Sequence, residues 1–166
     1  MWEFVRLSSL MLATLASGLQ AGVYYAFSCA VMPGLSRGDD RTFVAAMQQI
    51  NTAIINPWFM LSFVGAPLLC ALAAALHVGR RSPLLIWVII GFILALATFA
   101  STAVINVPLN NALTAAGAPD QIASLTAVRA AFEASWVRWN TIRALTSTGS
   151  LLALAWALLV SPRAGV

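Results

Sequence analysis

The chain contains four apolar stretches, each about as long as a helix that crosses a lipid bilayer. They cover residues 7–32, 58–76, 83–107 and 141–160, and none of them contains an acidic residue. A helix needs about 20 residues to cross the hydrocarbon core. Because lipid offers no hydrogen-bond partners, a spanning segment must satisfy its own backbone groups as a helix. We therefore predict an all-α integral membrane protein, in which residues 1–166 form a single four-helix bundle.

The composition excludes an ordinary soluble domain, since 61% of the residues are hydrophobic and only 8% are charged. All nine basic residues are arginines scattered in ones and twos. That distribution is typical of a membrane protein and not of a nucleic-acid surface. The first apolar stretch is longer than the about 7–15 residues of the apolar region in a signal peptide. We expect it to be retained as a helix.

Loops one and three carry helical patterns of their own. In residues 40–55, four apolar residues follow Asp40, which is placed to cap a helix. They are Phe43, Met47, Ile50 and Ile54. A similar pattern follows Pro119 and Asp120, and it either forms a separate segment or continues into the fourth span. Its apolar residues are Ile122, Leu125, Val128 and Phe132. We predict amphipathic surface helices in both loops.

The arginines give a weak indication of orientation. If loop two and both termini face the cytoplasm, four arginines lie inside, namely Arg6, Arg80, Arg81 and Arg163. Four others then lie outside, namely Arg37, Arg41, Arg129 and Arg138. The adjacent pair in the shortest loop favours this orientation, because the positive-inside bias acts most clearly on short loops. We predict a multi-pass protein of the cell membrane with cytoplasmic N- and C-termini.

Gly18 and Gly22 have the spacing that lets two helix backbones approach closely in a membrane. They either pack the first span within its own bundle or join two copies of the chain in an oligomer. We favour packing within the bundle.

Polar residues within the spans lie on one face of each helix. The first span has Gln20, Tyr24 and Ser28 at steps of four, and the third has Thr98, Thr102 and Asn106. On the fourth helix the steps alternate between three and four, through Glu133, Trp136, Asn140, Arg143, Ser147 and Ser150. Polar groups in hydrocarbon are costly unless they are paired. We therefore expect these faces to meet inside the bundle.

Because the spans alternate in direction, most of these residues meet at the end of the bundle that carries loops one and three. We predict a site there. The candidate catalytic residues are Arg143, Asn140, Asn106, Tyr24 and Glu133. The candidate substrate-binding residues are Trp136, Trp139, Gln20, Ser28, Asn51, Asn56, Thr102 and Asn110.

Structural roles are the alternative for several of these candidates. Asn56 before Pro57 has the pattern of a helix cap followed by a first-turn proline. Serines and threonines in membrane helices bond their own backbone, and tryptophans form interfacial belts. We also expect Pro33-Gly34 and Pro108 to end helices.

The sequence offers little support for a metal, haem or nucleotide site. Its single histidine, His77, lies at the opposite end of the bundle from the polar residues. Cys29 and Cys70 lie inside apolar stretches without a CxxC motif. We predict no metal and no other cofactor.

Four segments in order carry a resemblance to a known family: YYAFSCAVMPGL, MQQINTAIINPWF, INVPLNNAL and WVRWNTIRAL. Together, across residues 22–145, they resemble the anthrone oxygenases, a family of small membrane proteins. The resemblance implies oxidation of an anthrone, a fused phenolic ring system, to an anthraquinone by molecular oxygen without metal or flavin. In such a reaction Arg143 would hold an oxyanion, Asn106 and Asn140 would orient it, and an aromatic slot would bind the ring. The base is left open between Glu133, Tyr24 and Tyr25.

Two hypotheses follow for the function. The first is a cofactor-free membrane oxygenase that acts on a lipophilic phenolic or anthrone-like molecule. The second is a non-catalytic membrane protein that binds a lipid or quinone, or an accessory subunit of a membrane complex. A transporter is disfavoured, because the spans contain no acidic residue for proton coupling and no inverted repeat.

Overall fold

The computed structural model describes residues 1–79 and 83–161. Over these ranges the chain is helical, with no strand, and we number its helices in chain order. They are α1 (Trp2–Leu35), α2 (Asp40–Ala53), α3 (Pro57–His77), α4 (Leu84–Ala115) and α5 (Leu125–Leu159). All except α2 are long and apolar enough to cross a membrane. The predicted all-α membrane fold with four spans is therefore confirmed.

The four long helices form a ring in which each packs against two neighbours. Helix α5 lies between α1 and α4, and α3 closes the ring on the other side. At the loop-two end the core is apolar, with Leu10, Cys70, Val88 and Leu154 fully buried. Further along, buried hydroxyls connect the helices, as where Ser17 Oγ lies 3.1 Å from Ser150 Oγ. The bundle thus becomes more polar towards loops one and three.

Pro33 and Pro108 do not end their helices, contrary to our expectation. Helix α1 continues through Pro33 and Gly34 to Leu35, and α4 continues through Pro108 to Ala115. A π-helical turn precedes each proline, at Phe27–Val31 and at Thr102–Asn106. Each proline therefore lies in the first turn of the α-helical segment that follows, where a missing N–H is tolerated.

Helix α2 lies across the loop-one and loop-three end of the bundle. Its buried residues Phe43, Val44 and Met47 pack with Leu113 and Phe132 of the long helices. Asp39, not the predicted Asp40, caps the helix, because the Thr42 amide donates to Asp39 Oδ1 at 2.7 Å. This bond lowers the pKa of the Asp39 carboxyl below its ordinary value.

The loop-three pattern belongs to the fourth span. Pro119 and Asp120 lie in a turn, and α5 begins only at Leu125. Ser124 caps it, with Oγ accepting from the Ala127 amide at 3.3 Å. From there α5 runs unbroken to Leu159, so the alternative of a continuous helix is the one observed. Within the described residues, a separate surface helix in loop three, the other alternative, does not form.

Arg129 ties loop one to the start of α5. Its guanidinium donates to the carbonyls of Ser36 and Gly38, both at 3.0 Å. It also pairs with Asp40 at 3.1 Å and with Glu133 at 2.7 Å. The same group lies 4.5 Å from the centre of the Phe43 ring. Arg129 thus holds the chain that leads into α2.

Replacing Arg129 with glutamine is expected to lower the free energy of unfolding by about 1–2 kcal/mol, because hydrogen bonds to a charged group contribute more than neutral ones. Chemical denaturation in detergent micelles measures the change. The control is Arg41→Gln, since Arg41 pairs with Asp120 where both side chains are more than half exposed. Such pairs contribute about 0–1 kcal/mol. Equal losses in the two variants would contradict a special role for Arg129.

The two glycines of α1 have different surroundings. A Cβ on Gly18 would lie 3.4 Å from Leu151 of α5, whereas nothing lies within 4 Å of a Cβ on Gly22. Gly18 therefore packs within the bundle, and an oligomer through this surface stays a prediction. The orientation also stays a prediction. Of the arginines on which it rests, Arg80, Arg81 and Arg163 lie outside the described residues.

Candidate functional site

A cavity of about 870 Å³ lies at the end of the bundle that carries loops one and three. All five helices contribute to its lining. Most of the surface is apolar or aromatic, from residues such as Val23, Phe27, Phe59, Phe63 and Trp136. Both the size and the lining are typical of a site for a small organic molecule.

Arg143 lies in the cavity wall about five turns along α5. The residue is only 5% exposed. Its Nη2 donates to Asn140 Oδ1 at 3.1 Å, and the guanidinium carbon lies 4.5 Å from the centre of the Tyr24 ring. The Trp136 ring lies 5.3 Å away. Two aromatic faces and an amide oxygen thus surround the cation.

None of the described acidic residues pairs with Arg143, because each has another partner. Asp40 and Glu133 bind Arg129, Asp120 binds Arg41 and Glu3 binds Arg6. Asp39 caps α2. A guanidinium keeps its proton in proteins, and a buried charge without a counter-ion is costly. The cavity is therefore electrostatically suited to an anionic group.

Asn140 holds the cation in place and joins α5 to α1. Its Nδ2 donates to the Tyr24 carbonyl at 2.9 Å and to Ser28 Oγ at 2.8 Å, while Oδ1 accepts from Arg143. Both donors and the oxygen of this amide thus have partners within the protein. Asn140 is a positioning residue for Arg143.

Both π-helical turns pack against α5, beside the cavity. Phe27 and Thr102, the first residues of the two turns, line it. Such turns change the direction of the side chains that follow them and are frequent at functional sites.

Seven of the predicted site residues line this one cavity, and they come from four of the helices. They are Tyr24, Asn51, Thr102, Asn110, Trp136, Asn140 and Arg143. Trp136 Nε1 donates to Asn110 Oδ1 at 2.9 Å, which connects α5 to the outer part of α4. The Tyr24 hydroxyl lies near Thr102 and Arg143 but makes no hydrogen bond of normal geometry within the described chain.

The other predicted site residues lie outside the cavity lining. The Glu133 carboxylate forms an ion pair with Arg129, and Trp139 is half-buried elsewhere on α5. Asn56 caps α3, with Oδ1 accepting from the Phe59 amide at 3.1 Å. Gln20 donates to Ser62 at 2.8 Å, and Ser28 accepts from Asn140.

Asn106 is a special case among these residues. It is fully buried at the end of the π-helical turn in α4. Neither atom of its amide has a hydrogen-bond partner in the described part of the chain. It does not line the cavity, so the structure gives it no contact with a ligand there.

The apolar part of the cavity is formed by residues that were not among the predicted site residues. Phe59 and Phe63 stack one turn apart on α3, with ring centres 5.5 Å apart, and Phe63 stacks on Phe99 of α4. Ile54, Met60 and Val107 complete this wall. Phe59 and Phe63 have a spacing of four in the sequence, but this spacing alone does not distinguish a cavity wall from a lipid-facing surface.

The described residues contain no group of three or more His, Cys, Asp or Glu side chains that could hold a metal. His77 lies at the other end of the bundle, with Nδ1 2.7 Å from the Ala73 carbonyl. The absence of a cofactor stays a prediction.

A family model described as anthrone oxygenase matches residues 57–153. This range contains α3, α4 and most of α5, with Thr102, Asn110, Trp136, Asn140 and Arg143. The cavity residues of α1 and α2, among them Tyr24 and Asn51, precede it. No curated protein and no solved structure gives a significant match to the chain.

Proposed function

Because this chain belongs to the anthrone oxygenase family, we propose that it oxidises a lipophilic phenolic or anthrone-like molecule with molecular oxygen in the cavity beside Arg143. One observation carries this proposal. The buried guanidinium of Arg143 has no carboxylate partner in the described chain and lies in the wall of an aromatic cavity. Such an arrangement suits a flat apolar ring that becomes negatively charged on oxygen.

The reaction requires a carbanion and dioxygen. Loss of one proton from the methylene carbon of an anthrone gives an enolate. Its carbon transfers one electron to dioxygen, and the two radicals combine into a peroxide that takes up a proton. Loss of the second methylene proton then breaks the O–O bond and leaves a carbonyl and water. The carbon loses four electrons and dioxygen gains four, so anthrone and dioxygen give anthraquinone and water.

Arg143 stabilises the enolate in this scheme. At a separation of about 4 Å and an effective dielectric constant of about 20, two unit charges attract by about 4 kcal/mol. An energy of that size shifts the ionisation equilibrium of the bound ligand towards the enolate by about a thousandfold. Asn140 fixes the guanidinium, and Phe27, Phe59 and Trp136 offer aromatic faces to the ring.

The proton acceptor is water at the cavity mouth. Among the described lining residues there is no carboxylate and no imidazole, and Glu133 is held by Arg129. Asn111 and Thr114 line the cavity and are exposed near the loop-three end of α4, and the proposal places this water there. A weak base suffices because the cation lowers the free energy of the enolate.

The proposal includes an orientation. With both termini in the cytoplasm, the cavity lies towards the outer surface of the cell membrane. A lipophilic substrate then reaches it from the bilayer or from the outer aqueous phase. Reporter fusions at the two ends of the chain test this arrangement, and a reporter active only outside would contradict it.

The oxygenase reaction is tested with the purified protein in lipid nanodiscs, with an anthrone and ¹⁸O₂. We expect anthraquinone to form faster than by spontaneous oxidation. One labelled oxygen atom should appear in the new carbonyl and the other in water. Unlabelled quinone, or a rate equal to that of empty nanodiscs, would contradict the proposal.

A second candidate is a non-catalytic protein that binds a quinone or an anionic lipid. The lack of an acidic or imidazole side chain in the described lining favours it. It predicts that an anthraquinone binds and depends on Arg143, while anthrone oxidation stays at the spontaneous rate. That result would replace the oxygenase by a binding function.

A further inference from the structure

Asn51 is a buried amide that the protein itself does not use. It lies in the last turn of α2, is 8% exposed and lines the cavity. Its side chain makes no hydrogen bond to any residue in the ranges 1–79 and 83–161, and its Nδ2 is fully buried without a partner. Most buried polar side chains have a partner, so this one needs an explanation.

The other asparagines of the cavity differ from Asn51. The Asn140 amide donates to Tyr24 and Ser28 and accepts from Arg143. Asn110 accepts from Trp136. Asn111 is exposed, so solvent satisfies it. Asn51 therefore stands out among them as both buried and unpaired within the described chain.

The fold gains nothing visible from an amide at this position. Asparagine is a poor residue for the interior of a helix. Met47, one turn earlier on the same helix, packs into an apolar cluster, and the neighbouring Ile50 packs against it. A leucine at position 51 would extend that packing without leaving a buried polar group unpaired. A bound ligand, by contrast, would supply the missing partner.

We propose that Asn51 is a specificity residue that pairs with a second oxygen atom of the ligand, apart from the oxyanion held by Arg143. An amide has both donors and an acceptor, so it pairs with a phenolic hydroxyl or with a ring carbonyl. The ligand is then a fused-ring aromatic with at least two oxygens, one anionic beside Arg143 and one neutral beside Asn51. A plain hydrocarbon ring or an acyl chain leaves the amide unpaired.

This inference rests on the proposed function for the anionic end of the ligand, but the role of Asn51 does not come from the family. Residue 51 precedes the range that the family model matches. The selectivity it confers is thus assigned from the geometry of this chain. Helix α2 provides it, so the loop-one helix forms part of the binding site as well as covering the end of the bundle.

The test compares ligands and variants without turnover. Under anaerobic conditions in nanodiscs, quenching of tryptophan fluorescence gives Kd for unsubstituted anthrone and for a panel of monohydroxyanthrones. The isomer whose hydroxyl reaches Asn51 should bind wild-type protein about tenfold more tightly than the parent. In Asn51→Leu that preference should vanish, so the parent and the hydroxylated isomer should bind with equal Kd. The matched control Asn111→Leu should retain it.

Two results would overturn the inference. One is a preference that persists in Asn51→Leu, and the other is an equal loss of affinity for all ligands, which indicates a structural role. Thermal unfolding shows whether Asn51→Leu is folded, and Asn51→Ala serves if it is not. Because binding is measured without oxygen, an Asn51-dependent preference upholds the inference even if the oxidation assay fails. Oxidation without such a preference rejects the inference alone.

Discussion

Replacing Arg143 with leucine is expected to lower kcat/KM for anthrone oxidation by a factor of about 10²–10³. Removal of one group that stabilises a developing oxyanion has an effect of that size in other enzymes. The variant retains the apolar walls of the cavity, so binding of the neutral ring should weaken less than turnover. Oxygen uptake with an anthrone, measured in nanodiscs over a range of substrate concentrations, gives kcat and KM separately.

Stability distinguishes this catalytic role from a structural one. Arg143 is a buried cation without a carboxylate partner in the described chain, so Arg143→Leu should unfold at the same denaturant concentration as wild type or at a higher one. Arg143→Lys keeps the charge but loses the planar fork that reaches Asn140, and we expect intermediate activity. The control is Arg138→Gln, an exposed residue of the same helix. Unfolding of Arg143→Leu, or full activity in it, would contradict the assignment.

Most of the fold follows from the length and position of the apolar stretches. Backbone groups in lipid leave few alternatives to a helix, so four spans and the helix of loop one were predictable. The π-helical turns were not. The rule that a proline ends a helix assumes a regular α-helix before it. At Pro33 and Pro108 the preceding turn is wider. The sequences of these two turns, FSCAV and TAVIN, contain no pattern that predicts a π-helix.

The polar half of the cavity was also predictable, because hydrophilic residues in a span must face other protein. Helical spacing placed Tyr24 and Asn140 on faces that the structure brings together with Arg143. Glu133 follows the same spacing but lies ten residues before Arg143, about 15 Å along the helix. Its partner Arg129 lies four residues earlier, a spacing typical of ion pairs on one helix. That pair was visible in the sequence.

The apolar half could not be predicted by the same argument. In a membrane, a phenylalanine that faces a cavity and one that faces lipid have equally apolar surroundings, so periodicity does not separate them. Phe59 and Phe63 line the cavity, whereas Trp58 and Leu61 of the same helix are 83% and 71% exposed. Only the packing of α3 against its neighbours distinguishes the two faces.

A methyl group added at Gly91 is expected to lower the free energy of unfolding by about 2–3 kcal/mol. At this point α4 and α5 approach most closely among the described glycines: a Cβ would lie 2.8 Å from Cγ and Cδ2 of Leu154. Ser150 Oγ also donates to the Gly91 carbonyl at 2.8 Å, so separating the helices would weaken that bond. Overpacking of a filled core has a cost of about 1–3 kcal/mol. Unfolding of Gly91→Ala in mixed micelles measures the loss.

Gly22→Ala is the matched control, because nothing lies within 4 Å of its added Cβ and alanine favours a helix by about 0.5–1 kcal/mol. It should therefore be neutral or stabilising. Leu154→Ala removes the atoms that the Gly91 methyl meets and leaves a void in their place. Because the methyl then partly fills that void, the double variant should lose less stability than the sum of the two single variants. Additive losses would show that the Gly91–Leu154 contact does not set the spacing of α4 and α5.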